Sequence, residues 1–346
     1  MRAALLALAS VVLLSACNID LDRISLVKTP RVLSIVADPP EAAPGEDVRF
    51  HVLAFDPAGR ELRYAYRRCI DPASFTGGIT ADEGDSDTGV MPICDGDYVP
   101  GTGDTFIVQG ADLQQLYDDL PVFAAAAHLS AESIEGLVSA IQLPLQVRVR
   151  ITAIDPATGL ETAPLITAVK TFGLTTRTPR TTNPPYVFFS VGDSLFLGGV
   201  DPNSFECTLW AGTPAPVFPA SPPIGHGDPV AVPLVPRDNP FDWEETYPYI
   251  DYARTIQTGH EGAYYSWFTT SDVSTPCVHS DCHTIHEGDE TTTVSSSARP
   301  DDPMTFLTRD TFWELPSTPG TYHLWLVVRD GHLGESACHT TITVTP

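Results

Sequence analysis

Gln146-Val147-Arg148-Val149-Arg150-Ile151-Thr152 alternates polar and apolar residues at every step. A period of two places Val147, Val149 and Ile151 on one face of a strand and the other four on the opposite face, so one face is buried and one is wet. The same pattern extends outward in both directions. Upstream, Arg31 to Ala37 and Val48 to Phe55 are strand-like runs, broken by Pro39-Pro40 and Pro44-Gly45. The turn Asp56-Pro57-Ala58-Gly59 leads to Glu61–Cys69, where Leu62, Tyr64 and Tyr66 share a face. Downstream, the turn Asp155-Pro156-Ala157-Thr158-Gly159 precedes a strand from Pro164 to Phe172. Short strands joined by turn residues predict a mainly β chain of sandwich type.

Between these strands the period changes. Leu113, Leu116 and Leu120 fall at helical spacing, and Ile134, Leu137, Val138 and Ile141 form a second apolar stripe. Ser130 is placed to cap that second helix, with Leu129 and Ile134 as a hydrophobic staple. A small helical insertion, about 110–141, is therefore expected within a first unit spanning 30–176. Asn183-Pro184-Pro185 reads as a linker, and a second sandwich is expected over 184–346. Its end is a terminal hairpin: Tyr322 to Asp330, a turn at Gly331 to Gly334, and Cys338 to Thr345. Ala211 to Pro240 and Ser271 to Pro303 read as two long loops. Tyr64, Tyr66, Trp267 and Trp325 sit on strand patterns and are assigned to the cores, while His323 and His339 show no partner in the sequence.

The first residues carry a different signal. Arg2 precedes the apolar run Ala3 to Leu13, followed by Leu14-Ser15-Ala16-Cys17. A positive head, a greasy core, small residues and a cysteine form a lipoprotein-type secretory signal over 1–16. The run is too short to span a bilayer, which takes about 20 apolar residues. Cys17 is the expected lipid site, with 17–29 as tether, and Asn18 in second place favours the outer membrane. Six cysteines then remain for an oxidising compartment: Cys69, Cys94, Cys207, Cys277, Cys282 and Cys338. Cys69 is expected to bond Cys94, Cys207 to bond Cys338 through inward-facing positions on two strands, and Cys277 to bond Cys282. The net charge of −25, with Lys28 and Lys170 the only lysines, disfavours nucleic acid as a partner.

Three motifs bear on chemistry. Cys277-Val278-His279-Ser280-Asp281-Cys282-His283-Thr284-Ile285-His286 reads first as a disulfide-clipped polar loop. The alternatives are a metal site using His279, His283 and His286, and an expanded haem-attachment motif with His283 on the iron. The acidic stretch Asp82 to Gly89, with Asp95 and Asp97, reads as a solvated loop, with calcium as the alternative. Gly192-Asp193-Ser194-Leu195 resembles the nucleophile motif of the GDSL esterases, which would make Ser194 the nucleophile. The Asp-x-x-His partner motif of that family is absent after Ser194, and Gly-Asp between apolar runs is also a two-residue hairpin turn.

Val32 to Pro57, with its Asp-Pro-Pro-Glu and Pro-Gly-Glu turns, resembles bacterial surface lipoproteins with Ig-like domains. Glu261 to Phe268 resembles a core strand of a second such domain. Leu326-Val327-Val328-Arg329-Asp330-Gly331 is similar to the penultimate strand of PKD-like domains, although His332-Leu333-Gly334 departs from the usual continuation. The resemblance implies two Ig-like β-sandwich domains in tandem and a lipid-anchored cell-envelope protein. The expected role is non-enzymatic, as a surface binding, adhesion or structural module, with no cofactor. The expected partners are the membrane, through the lipid, and an envelope protein or polysaccharide.

Overall fold

The computed structural model describes residues 27–70, 93–94, 97–101, 103–122, 130–198, 204–223, 226–228, 230–237, 245–250, 255–261, 263–270, 285–286, 293–294 and 312–346. The chain is mainly β, with sheets packed face to face as in a β-sandwich. Four of the five sheets among the described residues form its cores, and the fifth pairs Thr246–Ile250 with Ile256–His260. In sheet I, strand Val48–Phe55 lies between Arg31–Asp38 and Thr105–Val108. In sheet II, strand Leu143–Ile154 lies between Leu62–Ile70 and Glu161–Leu174. Sheet III is built on the hairpin Gly320–Arg329 and Glu335–Thr345, with Ala263–Thr269 alongside. Sheet IV runs through Ser194–Gly198, Val187–Val191, Ala231–Pro236 and Phe312–Glu314.

Alternation explains how they pack. Leu145, Val147, Val149 and Ile151 on sheet II are buried against Ile35, Val48, Phe50 and Val52 on sheet I. Phe50 meets Phe172 edge-on at 5.2 Å between ring centroids. Each such side chain contributes about 1.5–3 kcal/mol when fully buried. The helices Gly110–Asp118 and Ala131–Ala140 close one end of this core, placing Leu113, Leu116 and Val138 inside it. The first helix starts where Asp47 Oδ1 accepts the N–H of Gly110 at 2.6 Å. A Cβ at Gly110 would lie 2.2 Å from the carbonyl oxygen of Gly45, so only glycine fits. Sheets III and IV enclose a second core around Phe189, Phe196, Trp267, Trp313 and Leu326.

A third core joins the two sheet pairs. Leu33 and Leu53, on the outer face of sheet I, pack with Phe268, Trp325, Val327 and Ala337, on the outer face of sheet III. The four sheets are thus layered II, I, III, IV, with apolar side chains in every gap.

Four expectations change. The tether ends earlier than residue 29: Val27 is buried in the third core and its N–H donates to Thr269 O at 2.9 Å. The stretch Ala211 to Pro240 contains two strands, Val217–Pro219 and Ala231–Pro236, and Val232 and Leu234 reach the second core. Within Ser271 to Pro303, Ile285–His286 and Thr293–Val294 each add a short strand to a sheet. Asn183 is more than a linker residue. Its Nδ2 donates to Ala37 O at 2.7 Å and its Oδ1 accepts the N–H of Glu335 at 2.9 Å, so one side chain clasps both sheet pairs. The staple residue Leu129 lies outside the described residues.

Candidate functional site

Among the described residues, the densest group of buried ionisable side chains lies along the polar edge of the seam between sheets I–II and III–IV. It is organised by the turn of the terminal hairpin. Asp330 Oδ1 accepts the N–H of His332 at 2.8 Å and of Gly334 at 3.0 Å. Gly331 takes a φ of +77°, a conformation favouring glycine. This cap projects His332 into the seam. Its ring lies on Tyr247 with centroids 3.9 Å apart and planes 8° from parallel. Gln142 Nε2 lies 3.1 Å from His332 Nε2, and Thr181 Oγ1 lies 3.5 Å from Nδ1. The Gln142 amide donates, so the Nδ1 proton points to Thr181. Burial, then the charge of Arg177, depresses the imidazole to about 3, so His332 is neutral.

Carboxyl groups surround this turn. Burial pushes Glu261 up to about 9, and the negative charges of Asp330, Glu245 and Glu41 add to the shift. Burial likewise pushes Asp330 up to about 7, against the N–H of His332 and the charge of Lys170. Glu335 is as deeply enclosed, and burial opposes its ionisation, but Lys170 at 3.0 Å and Arg329 at 3.2 Å hold it below the usual range. Glu41 accepts from Arg177 at 2.5 Å and from the N–H of Thr181 at 2.7 Å. Arg180 pairs with Glu46. Glu245 accepts the N–H and hydroxyl of Thr182 at 2.7 and 3.0 Å. The connecting residues 177–184 are therefore fastened on both sides. Chemically, the arrangement holds protons and locks the sheet pairs together.

A second set lines the rim of the third core. His323 Nδ1 lies 2.8 Å from His339 Nε2, and His339 Nδ1 lies 3.2 Å from Glu206 Oε1. The His323 ring stacks on Trp325 and His339. Burial and the neighbouring His339 lower its pKa, against the charge of Glu206.

Most residues singled out in the sequence lie elsewhere. Cys207 and Cys338 are bonded, with Cα atoms 5.3 Å apart, tying the edge of sheet IV to sheet III. Cys69 is buried and disulfide-bonded, and it faces Cys94 across the ladder. Tyr66, Trp267 and Trp325 are core residues, as expected. Ser194 is buried and begins a hairpin strand directly after the turn Gly192-Asp193, with Val191 and Ser194 paired. Strand, turn and strand replace the strand–turn–helix elbow of a nucleophile of that type. Cys17, Cys277, Cys282, His279, His283, Asp95 and the stretch Asp82 to Gly89 lie outside the described residues, while the backbone of His286 pairs with Phe312. Among the described residues, no group of three metal-ligating side chains converges.

Sequence reasoning missed His332, Asp330, Glu261 and the pair His323–His339. A signal existed for all of them but Glu261. Asp-Gly-His-Leu-Gly is an Asp-capped turn, and counting back from it puts 323 and 339 on one face of the hairpin, diagonal to each other.

No protein-family model matches the chain, and no curated protein matches it. Solved structures give remote overlays. A Salmonella α-2-macroglobulin mutant matches at 8% identity and a TM-score of 0.21, over 92% of this chain and 16% of that one. The native Escherichia coli α-2-macroglobulin matches at 8% identity and a TM-score of 0.22, over 92% and 17%. The N-terminal Ig1-2 module of the Drosophila receptor protein tyrosine phosphatase DLAR matches at 11% identity and a TM-score of 0.20, over 92% and 100%. The chain thus spans less than a fifth of the macroglobulins.

Proposed function

We propose that the protein is a lipid-anchored cell-envelope protein acting as a non-enzymatic binding, adhesion or structural module, made of Ig-like domains over 30–176 and 184–346. Cys17 is its lipid site and the outer membrane its destination. One observation carries the non-enzymatic reading: the most strongly shifted acid and base groups, Glu261, Asp330 and His332, are committed to a seam between sheet pairs. Such a joint suits a rigid display unit. With Val27 docked, about ten residues separate it from Cys17, a span of at most ~35 Å. Cys69–Cys94 and Cys277–Cys282 are the remaining disulfides in this reading, consistent with an oxidising compartment.

Cys17→Ser tests the anchor. The variant is expected to leave the membrane fraction or to accumulate unprocessed. Normal processing with unchanged membrane fractionation would overturn the proposal. Peptide mapping without reduction tests the pairings, and a bond from Cys69 to any cysteine but Cys94 would refute them.

A further inference from the structure

The wet face of sheet II carries a row of arginines that no carboxylate among the described residues neutralises. Arg67 and Arg148 are direct cross-strand partners. Arg150 follows on the same face as Arg148, opposite Ala65 and Thr167. Arg63, opposite Thr152, continues the row and is exposed. Like charges set directly opposite each other on a sheet repel. With 44 acidic residues in the chain, carboxylates are plentiful. Yet among the described residues none is paired with Arg67, Arg148 or Arg150. The Nε of each of these three is buried and has no hydrogen-bond acceptor.

Tyr98 orders the group. Its ring centroid lies 3.9 Å from the guanidinium carbon of Arg150 and 5.9 Å from that of Arg67. A ring over a guanidinium leaves its outer Nη–H edges available to donate, while the Nε–H stays buried. Those edges match the oxygens of carboxylate and phosphate groups in forked pairs. Beside them the face offers the exposed Thr167 and Val169, the latter 46% exposed, as hydroxyl and apolar surface.

We propose that this face binds an acidic polysaccharide, through carboxylate or phosphate groups spaced along an extended chain. The row follows the open face of a sheet along its strands, so its ligand is extended. The net charge of −25 repels a densely charged membrane or nucleic acid as a whole, whereas a glycan with spaced charges is met locally, within a Debye length of the arginines. The inference names a ligand class for the binding role proposed above. It rests on sheet II and not on the lipid, so it stands or falls separately from the Cys17→Ser result.

The full chain in detergent is titrated with polygalacturonate, with a phosphomannan, with neutral dextran and with phosphatidylglycerol vesicles. Binding to at least one of the two acidic glycans is expected, with none to dextran. Affinity should fall several-fold as salt rises from about 50 to about 300 mM. The double variant Arg148→Gln/Arg150→Gln should lose at least ~10-fold in affinity with an unchanged melting temperature. Arg237→Gln, which removes a charge from sheet IV, should lose less than ~2-fold. Failure to bind both acidic glycans would overturn the proposal, as would equal losses in the two variants. Preference for the vesicles would overturn it in favour of a lipid surface. Binding that appears only after Asp82, Glu83, Asp85 and Asp87 are changed to their amides would overturn it in favour of an internal partner.

Discussion

Glu261 and Asp330 are carboxyl groups that the fold keeps protonated, and this has a direct consequence for stability. Their ordinary values, 4.5 and 3.8, rise to about 9 and about 7. A group whose value is raised on folding stabilises fully below its unfolded value, and that contribution is lost as pH rises through the folded value. Asp330 therefore loses its contribution between 3.8 and about 7 and Glu261 between 4.5 and about 9, so the fall in melting temperature from pH 7 to 9 is due to Glu261. His332 acts on the other side. Its value drops from 6.5 to about 3, so the neutral ring is favoured in the fold and stability is lost as pH falls through that interval. Glu335, held ionised by Lys170 and Arg329, adds to the acid limb. Thermal melts across pH should show both limbs, with Glu261→Gln flattening the alkaline one. The amide can still accept the N–H of Glu245, so an unchanged alkaline limb in that variant would remove Glu261 as its source. None of this is legible in the sequence. Gln142 and His332 are 190 residues apart, and Glu41 and Arg177 are 136 apart, so their meeting depends on how whole sheets pack.

Elements were legible to the extent that their pattern was local. The alternation at Val147, Val149 and Ile151 identifies the central strand because one face is buried throughout. The leucines at helical spacing mark the first helix for the same reason. The proline-rich stretch before Pro240 misleads because proline lacks an N–H, yet Pro233 enters sheet IV through its carbonyl, which accepts the N–H of Gly192 at 2.9 Å. The Cys207–Cys338 bridge was readable from two alternating faces, and it closes a loop with a sequence separation of 131. Cys338→Ala should cost about 5 kcal/mol by the loop-entropy argument. Gly198 lies against this bridge: a Cβ there would sit 2.3 Å from Cys338 Cβ. Gly198→Ala should destabilise by about 1–3 kcal/mol through overpacking. Denaturant midpoints check both, and a wild-type midpoint for Gly198→Ala would mean that the bridge has room to move.

At the scale of the molecule, the third core decides how the protein unfolds. With apolar contact in every gap between the four sheets, calorimetry should record one cooperative transition. Trp325, which packs on Phe55 from across the seam at 4.7 Å, is the central contact. Trp325→Ala should cost about 3–5 kcal/mol and split the transition in two. Asn183→Ala, which removes the clasp between Ala37 and Glu335, should cost about 2 kcal/mol and speed proteolysis of the connecting segment. A wild type that already melts in two steps would show that the seam couples the halves weakly.

Val27 gives the joint a mechanical meaning. Its N–H is held by Thr269 and its side chain lies in the third core. Val27 therefore sits beside the seam, not at the end of a sandwich. A force applied at Val27 arrives as shear across stacked faces, spread over sheet III, rather than as a peeling force on one edge strand. The load that the molecule bears is then set by the joint and not by the sandwiches it connects.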